Sequence, residues 1–384
     1  MASIKKRPNG MWRARYRDPA GREVARHFAR KVDAQRWVDE ATTALVTGQY
    51  VDPAAGKVTF RDYAEQWRTA APHGPATQDK VRRSLERHVY PTFGRMAMRS
   101  VRPTSVQAWV TALPLAPSTA RVMLSYVIAI FRAAVRDRVI VASPAEGIRP
   151  PTEGRAEVYI PEPAQLEVLR GRLPERYRAV LDLVVGAGLR QGEVFGLEVD
   201  GLDFLAGREL EVRQQLRWVS PDPVHLAPPK TVEAERTIPL AQVTLDALAA
   251  HLAAWPARRV AIPDRTDRRR REPRQKAAQL VFTTEHGQPM TRPSWSMIWQ
   301  PAARAAGIPE RVGLHALRHY YASALIHHGE SVKVVQRRLG HSSATTTLNT
   351  YAHLWPDSDD RTRQAVEAAV VALSASAPPH PQAR

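Results

Sequence analysis

Two neighbouring stretches, LHALRHYYASAL at residues 314–325 and LGHSSATTTLNTYAHL at residues 339–354, decide how this chain is interpreted. In the first stretch, His315, Arg318 and His319 are three and four residues apart, so a helix places them on one face. An arginine with a histidine on one face is suited to binding an anion, because His315 and Arg318 could both donate a hydrogen bond to one phosphate. The pattern therefore predicts an anion-binding helix.

The tyrosines of the two stretches differ in their surroundings. Leucines and one tyrosine repeat with helical spacing and predict a buried stripe, formed by Leu314, Leu317, Tyr321 and Leu325. We therefore expect at least one of Tyr320 and Tyr321 to lie in the core. Tyr351 lies late in a short helix among threonines and an asparagine, where a mobile terminal helix could bring its hydroxyl group to a phosphate.

A zinc site is the competing interpretation of His315 and His319, which are spaced by four residues. However, the glutamate of the helical metalloprotease motif is missing, Arg318 would lie beside the cation, and no third ligand is evident. The chain has no cysteine, which excludes disulfides, thiol catalysis and cysteine-ligated metals. We expect neither a metal nor a cofactor.

Two further residues are candidates for binding the same anion. Arg190 follows a glycine-rich helix end in GLRQGEVFGL at 188–197, where it could grip a phosphate with two hydrogen bonds or simply pair with Glu193. His341 follows Gly340 and precedes two serines, a turn that opens a helix and is suited to anion contact. A surface or capping histidine is the alternative there.

Lys230, in PPKTVEAERTIPL at 228–240, is distinctive because the chain otherwise takes its positive charge from arginine. Only eight of the 56 basic residues are lysines, and Lys230 is the only lysine between Lys80 and Lys276. A lysine can release a proton when its pKa falls, whereas an arginine cannot. Lys230 is therefore a candidate general acid, with chance survival of one lysine on a hairpin as the alternative.

Composition indicates a polyanionic partner. The 384 residues carry a net charge of +18, and 43% of them are hydrophobic, which is typical of a globular protein with two or three domains. Anionic membrane competes with nucleic acid as the partner, but we find no long apolar run and no basic amphipathic helix with an aromatic face. The basic start followed by Pro8-Asn9-Gly10 does not resemble a signal peptide, so we expect a cytoplasmic protein.

The amino-terminal region is predicted to form a small three-stranded sheet with one helix. MWRARYR at 11–17 alternates strictly, REVARHF follows as a second strand, and a helix ends at Gly48. The arginine face of the first strand predicts contact with nucleic acid, although an ordinary solvated strand face is the alternative; its residues are Arg13, Arg15 and Arg17. A helical module with Thr59 as its first N-cap follows. One of its helices carries a basic run that we also predict to bind DNA, with an ordinary solvated helix face as the alternative; its residues are Lys80, Arg82, Arg83 and Arg87.

The rest of the chain is predicted to be a mainly helical domain with a small antiparallel sheet. Residues 143–163 are rich in proline, glycine and charge and are typical of an inter-domain linker. Residues 258–276 hold basic residues without periodicity, which predicts a flexible loop that contacts phosphate non-specifically. The fold class is therefore multidomain α+β.

In order along about 170 residues, GLRQGEVFGL, PPKTVEAERTIPL, LHALRHYYASAL, LGHSS and TLNTYAHL resemble the five catalytic-domain boxes of the tyrosine recombinases, specifically the phage and integrative-element integrases. The resemblance implies an arm-type DNA-binding domain at 1–50, a helical core-binding domain at 58–148, a catalytic domain at 160–356 and a carboxy-terminal tail at 357–384. It assigns catalysis to Arg190, Lys230, His315, Arg318, His341 and Tyr351.

The reaction that this resemblance implies is attack of Tyr351 on a DNA phosphodiester, giving a 3′-phosphotyrosyl link and a free 5′-hydroxyl group. Arg190, Arg318 and His341 would bind the non-bridging oxygens, Lys230 would protonate the leaving 5′ oxygen, and His315 would assist proton movement at the tyrosine. The implied enzyme integrates or excises a phage or mobile element. It works as a homotetramer on double-stranded DNA with core and arm sites, associated with the nucleoid, and a DNA-bending host factor and an excision directionality factor are possible partners.

Two other functions fit parts of this pattern. A type IB topoisomerase uses the same chemistry, but it needs no arm module, and the arginine strand favours the integrase. A catalytically idle DNA-binding regulator would have lost some of the catalytic set, whereas this sequence retains every residue type.

Overall fold

The computed structural model describes residues 2–48, 50–52, 54–152, 158–219, 222–267, 269–270, 272–355 and 359–375. The chain divides into two compact units, Met1–Ala156 and Glu157–Arg384. Of the linker predicted at 143–163, residues 153–157 lie outside the described residues.

The first unit begins with an antiparallel sheet in the order β1-β2-β3, formed by strands Ser3–Lys6 (β1), Trp12–Arg17 (β2) and Glu23–Phe28 (β3). Helix α1 (Lys31–Val46) packs on it. Ala14 and Tyr16 are buried on the sheet, as the alternation predicted. The three-stranded sheet backed by one helix is therefore confirmed.

The described remainder of the first unit contains the helices α2 (Phe60–Ala70), α3 (Pro75–Ser84), α4 (Tyr90–Phe93), α5 (Pro103–Ala112) and α6 (Pro117–Arg136), with a π-helical turn at Leu85–Val89 between α3 and α4. The predicted N-cap is present, since the Thr59 side chain accepts a hydrogen bond from the Asp62 amide at 3.1 Å. Helix α6 is long and apolar enough to cross a membrane, but its apolar residues form the core of this module.

The second unit is mainly helical. Its helices are α7 (Pro163–Arg172), α8 (Glu175–Ala187), α9 (Gln191–Phe195), α10 (Gln242–Ala254), α11 (Arg292–Ala305), α12 (His315–His327), α13 (Val332–Leu339), α14 (Ala344–Tyr351) and α15 (Asp359–Ala375). Its strands are β4 (Leu202–Asp203), β5 (Glu209–Val212), β6 (Gln215–Val219), β7 (Asp222–Ala227), β8 (Arg236–Pro239), β9 (Arg258–Asp264) and β10 (Arg274–Leu280). They form two small sheets, β4-β5-β8 and β10-β9-β7-β6.

The prediction of a flexible loop at 258–276 was wrong. Strands β9 and β10 pair there as an antiparallel hairpin. Val260, Ile262 and Ala278 are buried on one face, and Lys276 pairs with Glu198 at 2.5 Å. The arginines masked a two-residue alternation of apolar side chains, which is the pattern of a strand with one covered face.

The carboxy-terminal segment contains a helix that the sequence analysis did not predict. Residues 357–384 were interpreted only as a tail, whereas α15 occupies Asp359–Ala375. Residues 376–384 lie outside the described residues.

Candidate active site

Two glycines end helices at the site and direct the chain that follows. Helix α8 stops at Gly188 (φ 63°), two residues before Arg190, and α13 stops at Gly340 (φ 61°), directly before His341. A Cβ atom on Gly188 would lie 2.3 Å from the ring of Tyr321, and one on Gly340 would lie 3.0 Å from the Cα of Ala234. Both positions therefore require glycine for conformation and for space.

Arg318 joins these two helix ends. Its guanidinium donates to the Gly188 carbonyl at 2.6 Å and to the Leu339 carbonyl at 2.5 Å, and the residue is only 1% exposed. Carbonyls at helix carboxyl ends carry partial negative charge and stabilise a cation. Burial lowers the pKa of Arg318 to about 9, and the nearby charge of Arg190 acts in the same direction. Arg318 is still protonated near neutral pH.

A buried carboxylate holds two more arginines. Glu193 accepts hydrogen bonds from the Arg190 guanidinium at 2.7 Å and from the Arg236 guanidinium at 2.9 Å. Arg190 also donates to the Gly340 carbonyl at 2.9 Å. Burial by itself would raise the pKa of Glu193, but the charges of Arg236 and Arg190 outweigh it, and the pKa is lowered. With Arg318, these groups amount to three positive charges and one negative charge.

The two histidines assigned to the site remain neutral near pH 7. Removal from water and the charges of Arg318 and Arg190 lower the pKa of His315 to about 4, although its side chain still reaches solvent. The same causes lower the pKa of His341 to about 3, and its Nδ1 lies 2.9 Å from Thr347 Oγ1. Both rings can therefore exchange hydrogen bonds without adding charge.

Tyr351, the last residue of α14, is only 1% exposed. It belongs to a small apolar cluster, separate from the main core of the unit, formed by Tyr321, Ala322, Ile326, Val335, Leu339 and Tyr351. Burial raises the pKa of Tyr351 to about 12, and the charge of Arg318 opposes that rise. The hydroxyl group lies 2.6 Å from Nδ1 of His319. Tyr321 is buried and Tyr320 is half-buried, which confirms that at least one of this pair lies in the core.

Lys230 does not join this cluster by a contact. It is exposed in the segment between β7 and β8, and within the described parts of the chain no hydrogen bond or ion pair links it to Arg190, Arg318 or Tyr351. The segment is anchored on both sides, because Gln215 donates to the Pro228 carbonyl at 2.8 Å and Arg236 donates to the Arg338 carbonyl at 2.7 Å.

The arginines predicted to bind DNA on the amino-terminal strand already have partners. Glu23 accepts from Arg13 and from Arg15, both at 2.8 Å, and Arg17 donates to the Gly21 carbonyl at 2.9 Å. These side chains are partly exposed, so water can compete for their hydrogen bonds.

The basic run of the helical module is partly paired as well. Arg82 pairs with Asp79 and Glu86, and Arg83 pairs with Asp79, at 2.7 to 3.0 Å. Lys80 and Arg87 are exposed. The structure thus places Lys80 and Arg87 where they can reach a large ligand, while Arg82 and Arg83 would first exchange carboxylates for phosphates.

Sequence reasoning left three residues of this site without a role: Arg236, His319 and Thr347. Arg236 lies two residues before Ile238 on β8, so both side chains are on the same buried face of the strand. An arginine on an apolar strand face was therefore the signal in the sequence that could have predicted a buried ion pair. His319 was recognised only as part of a helical face. Among the described residues, no group of three or more histidine, aspartate or glutamate side chains is arranged to hold a metal ion.

Comparison with known proteins gives two family matches. Residues 164–357 match the model of the phage integrase family, and residues 60–150 match the model of the phage integrase central domain. The tyrosine recombinase XerD of Mycobacterium leprae is 32% identical over 262 residues, which are 66% of this chain and 73% of that protein.

Two solved structures share the fold. The Tn1549 transposon integrase in complex with transposon right end DNA superposes with a TM-score of 0.68 at 23% identity, over 82% of this chain and all of the other. A lambda integrase tetramer bound to a Holliday junction superposes with a TM-score of 0.57 at 15% identity, over 89% of this chain and 96% of the other.

Proposed function

This chain belongs to the phage integrase family and is a tyrosine-type site-specific recombinase of mobile DNA, and from this premise we propose that Tyr351 cleaves DNA to form a 3′-phosphotyrosyl intermediate. The observation that carries the proposal is the excess of buried positive charge around Arg318, close enough to act on the pKa of the Tyr351 hydroxyl group. A buried cation cluster without matching anions is a site for an anion from outside.

Arg190 and Arg318 are proposed to bind the non-bridging oxygens of the scissile phosphate, with His341 as a neutral third donor. Negative charge on these oxygens grows as Tyr351 attacks and the phosphorus becomes five-coordinate. Groups that are already fixed stabilise that growth most, because they need no reorganisation during the reaction. Arg318 is held by two helix-end carbonyls and Arg190 by Glu193, which supports this role.

Lys230 is proposed to protonate the leaving 5′ oxygen, and His315 to assist proton movement at the tyrosine. Both residues reach solvent, Lys230 on its exposed segment and His315 at the start of α12. Lys230 therefore has to approach the phosphate when DNA is bound, which the exposed segment between its two anchors allows.

Attack also requires a change at Tyr351. The hydroxyl group is bonded to His319 and the ring is buried in a small cluster. Helix α14 is only eight residues long, and its Leu348 is 41% exposed. Displacing this short helix disturbs one small cluster and leaves the main core intact, so the movement is compatible with a folded domain.

The domains are proposed to share the work on DNA. Residues 1–50 form the arm-type module, 58–148 the core-binding module, 160–356 the catalytic domain, and 357–384 a carboxy-terminal tail. The net charge of +18 supports binding of core and arm sites on double-stranded DNA in the cytoplasm, at the nucleoid.

Assembly as a homotetramer is proposed from the fold shared with the lambda integrase tetramer. A DNA-bending host protein and an excision directionality factor are proposed as accessory partners, because strand exchange joins two DNA sites and needs a direction.

The test of this proposal is Tyr351→Phe on nicked duplexes that trap covalent complexes. A pool with a randomised core supplies the DNA, and covalently bound molecules are recovered and sequenced. We expect the wild-type protein to accumulate DNA adducts and Tyr351→Phe to form none while binding DNA normally. The matched control is Tyr320→Phe, which should react like the wild type. Adducts that persist in Tyr351→Phe would reject the proposed nucleophile.

A further inference from the structure

The hydrogen bond between Tyr351 and His319 connects two helices that are distant in sequence. The Tyr351 oxygen lies 2.6 Å from Nδ1 of His319, and the two rings meet edge to face with centroids 5.6 Å apart. The contact occurs where the tyrosine is almost completely removed from water. His315, which the family resemblance assigns to proton movement at the tyrosine, has no hydrogen bond to Tyr351 in the described part of the chain.

Protonation states fix the direction of this hydrogen bond. Burial raises the pKa of Tyr351 to about 12, so the phenol keeps its proton near neutral pH. Burial and the charges of His315 and Arg318 lower the pKa of His319 to about 4, so its ring is neutral. In the described structure, Nδ1 of His319 is the acceptor that the phenol reaches. Tyr351 therefore donates, and the ring proton of His319 is on Nε2.

We propose that His319 is the catalytic base that removes the proton from Tyr351 during DNA cleavage. This inference rests on the proposed function, because it concerns the step in which Tyr351 attacks the phosphate. It changes the assignment of one role: His319 contacts the Tyr351 oxygen in the free protein, whereas His315 lies one helical turn away. The proposal requires that the shift of α14 toward DNA keeps or re-forms this hydrogen bond when Tyr351 attacks.

The proton on the Tyr351 oxygen moves to Nδ1 of His319, and that oxygen forms a bond to phosphorus. The bond from phosphorus to the 5′ oxygen breaks, and the 5′ oxygen takes a proton from Lys230. His319, now an imidazolium, returns its proton to water, and Lys230 regains one. Rejoining runs the same transfers in reverse.

Bound DNA supplies the negative charge near His319 that the free site lacks. Two groups on its own helix disfavour the imidazolium of His319: the charged Arg318, and His315 once it is protonated. A phosphodiester held by Arg318 and Arg190 places a negative charge among them and favours the imidazolium. His315 provides a route for the proton, because its ring lies 4.6 Å from that of His319 and reaches solvent.

A purely structural role for the contact between Tyr351 and His319 predicts the opposite change in cleavage rate when His319 is removed. If His319 only held Tyr351 in its buried place, removing the ring would free the tyrosine and speed cleavage. If His319 accepts the proton, removing it slows cleavage. The proposal is therefore open to direct contradiction by the direction of one rate change.

The experiment measures single-turnover cleavage by the full-length protein on a nicked duplex recovered from the randomised pool. His319→Ala removes both the acceptor and the base, while His319→Asn keeps an acceptor oxygen near the position of Nδ1 but takes up no proton. Both should slow cleavage about 100-fold, the lower end of what general bases contribute. The matched control is His327→Asn, an exposed histidine on the same helix, which should cleave at the wild-type rate.

A second substrate distinguishes removal of the proton from Tyr351 from protonation of the leaving 5′ oxygen. A duplex with sulfur in place of the 5′ bridging oxygen has a leaving group that needs no protonation. Lys230→Ala should recover most of its lost rate on this duplex, whereas His319→Asn should remain slow. DNA binding measured in parallel distinguishes a folded variant from a misfolded one.

Each outcome has one meaning. Slow cleavage by both His319 variants with normal DNA binding supports the base. Wild-type or faster cleavage by either variant overturns it, and faster cleavage identifies a restraint on Tyr351. Recovery of His319→Asn on the sulfur duplex also overturns it. If the wild-type protein forms no adduct with any duplex, the proposed function itself fails, and this inference fails with it.

Discussion

Two glutamates in this molecule each hold two arginines, and the two groups behave differently because one is exposed and the other is buried. Glu23, on the amino-terminal sheet, pairs with Arg13 and Arg15, and its side chain is 33% exposed. Glu193, in the catalytic unit, pairs with Arg190 and Arg236, and its side chain is 3% exposed. The distances are almost equal, at 2.7 to 2.9 Å.

Burial therefore decides what the arginines can do. At the exposed group, water and salt screen the attraction, so the pairs contribute little and a DNA phosphate can replace the glutamate. At the buried group, the desolvated charges interact strongly, and Arg318 adds a third cation that is held by two carbonyls. The first group is suited to reversible binding, and the second is a fixed site for charge that develops during a reaction.

The largest expected difference is in stability. Glu193→Gln leaves the buried Arg236 and the half-buried Arg190 without their carboxylate and should cost about 3–5 kcal/mol of unfolding free energy in the catalytic unit. Glu23→Gln should change stability by no more than about 1 kcal/mol. Urea denaturation followed by hydrogen exchange in each unit measures both. Equal losses would show that burial does not separate the two groups.

The next largest effect is on catalysis. Arg190→Ala should slow single-turnover cleavage by about 100-fold or more, since a lost charge-stabilising donor costs about 3 kcal/mol of barrier. Arg15→Ala is the matched control on a short duplex that carries only the cleavage site, and its cleavage rate should not change. A similar fall in both variants would place Arg190 in DNA binding alone.

Acid should lower the stability of the catalytic unit, because three histidines near the buried arginines are neutral in the folded state. Burial and nearby arginines lower the pKa values of His315, His319 and His341 to about 4, 4 and 3, below the ordinary 6.5. Between the lowered pKa of each folded-state histidine and the ordinary value of 6.5, the unfolded chain binds more protons than the folded chain. The free energy of unfolding therefore falls as pH drops from about 6.5 toward 3. Protection factors of amides in α12, which correct for the slower intrinsic exchange at lower pH, should therefore decrease over this window.

The same experiment can test whether His341 is one of the histidines that are neutral in the folded state. His341→Asn removes one of the three groups and should make the pH dependence of the protection factors in α12 less steep. Helix α6 contains no histidine and serves as the internal reference. An unchanged pH dependence in the variant would mean that His341 is not held neutral by its surroundings.

The smallest effect concerns the exposed group. Arg15→Ala should reduce the slope of log binding constant against log salt by about 0.9 for each phosphate that Arg15 neutralises in the wild-type complex. Glu23→Gln should strengthen DNA binding slightly, because it releases Arg13 and Arg15 from their carboxylate. Titration on the DNA flanking the gene of this protein measures both. An unchanged salt slope would mean that these arginines do not touch phosphate.

Local patterns accounted for much of the fold. Strand β2 followed from its alternation, the start of α2 from Thr59, and the pairing of Arg190 with Glu193 from their spacing along the chain. Each depends on neighbours within a few residues, which a sequence displays directly.

The missed features depend on packing between distant segments. The burial of Tyr351 comes from packing against residues on α12 and α13, and its polar neighbours in sequence gave no sign of it. Arg236 reaches Glu193 across 43 positions of the chain, and the Tyr351 hydroxyl group reaches His319 across 32. No periodicity within one element reports such pairs.

The most direct test of the central claim is to locate the covalent bond between protein and DNA. The wild-type protein is trapped on its selected nicked duplex, digested with nuclease and protease, and the peptide that carries a nucleotide is identified by mass spectrometry. We expect a nucleotide on Tyr351, joined through its 3′ phosphate. A nucleotide on Tyr320 or Tyr321, or one joined through a 5′ phosphate, would contradict it.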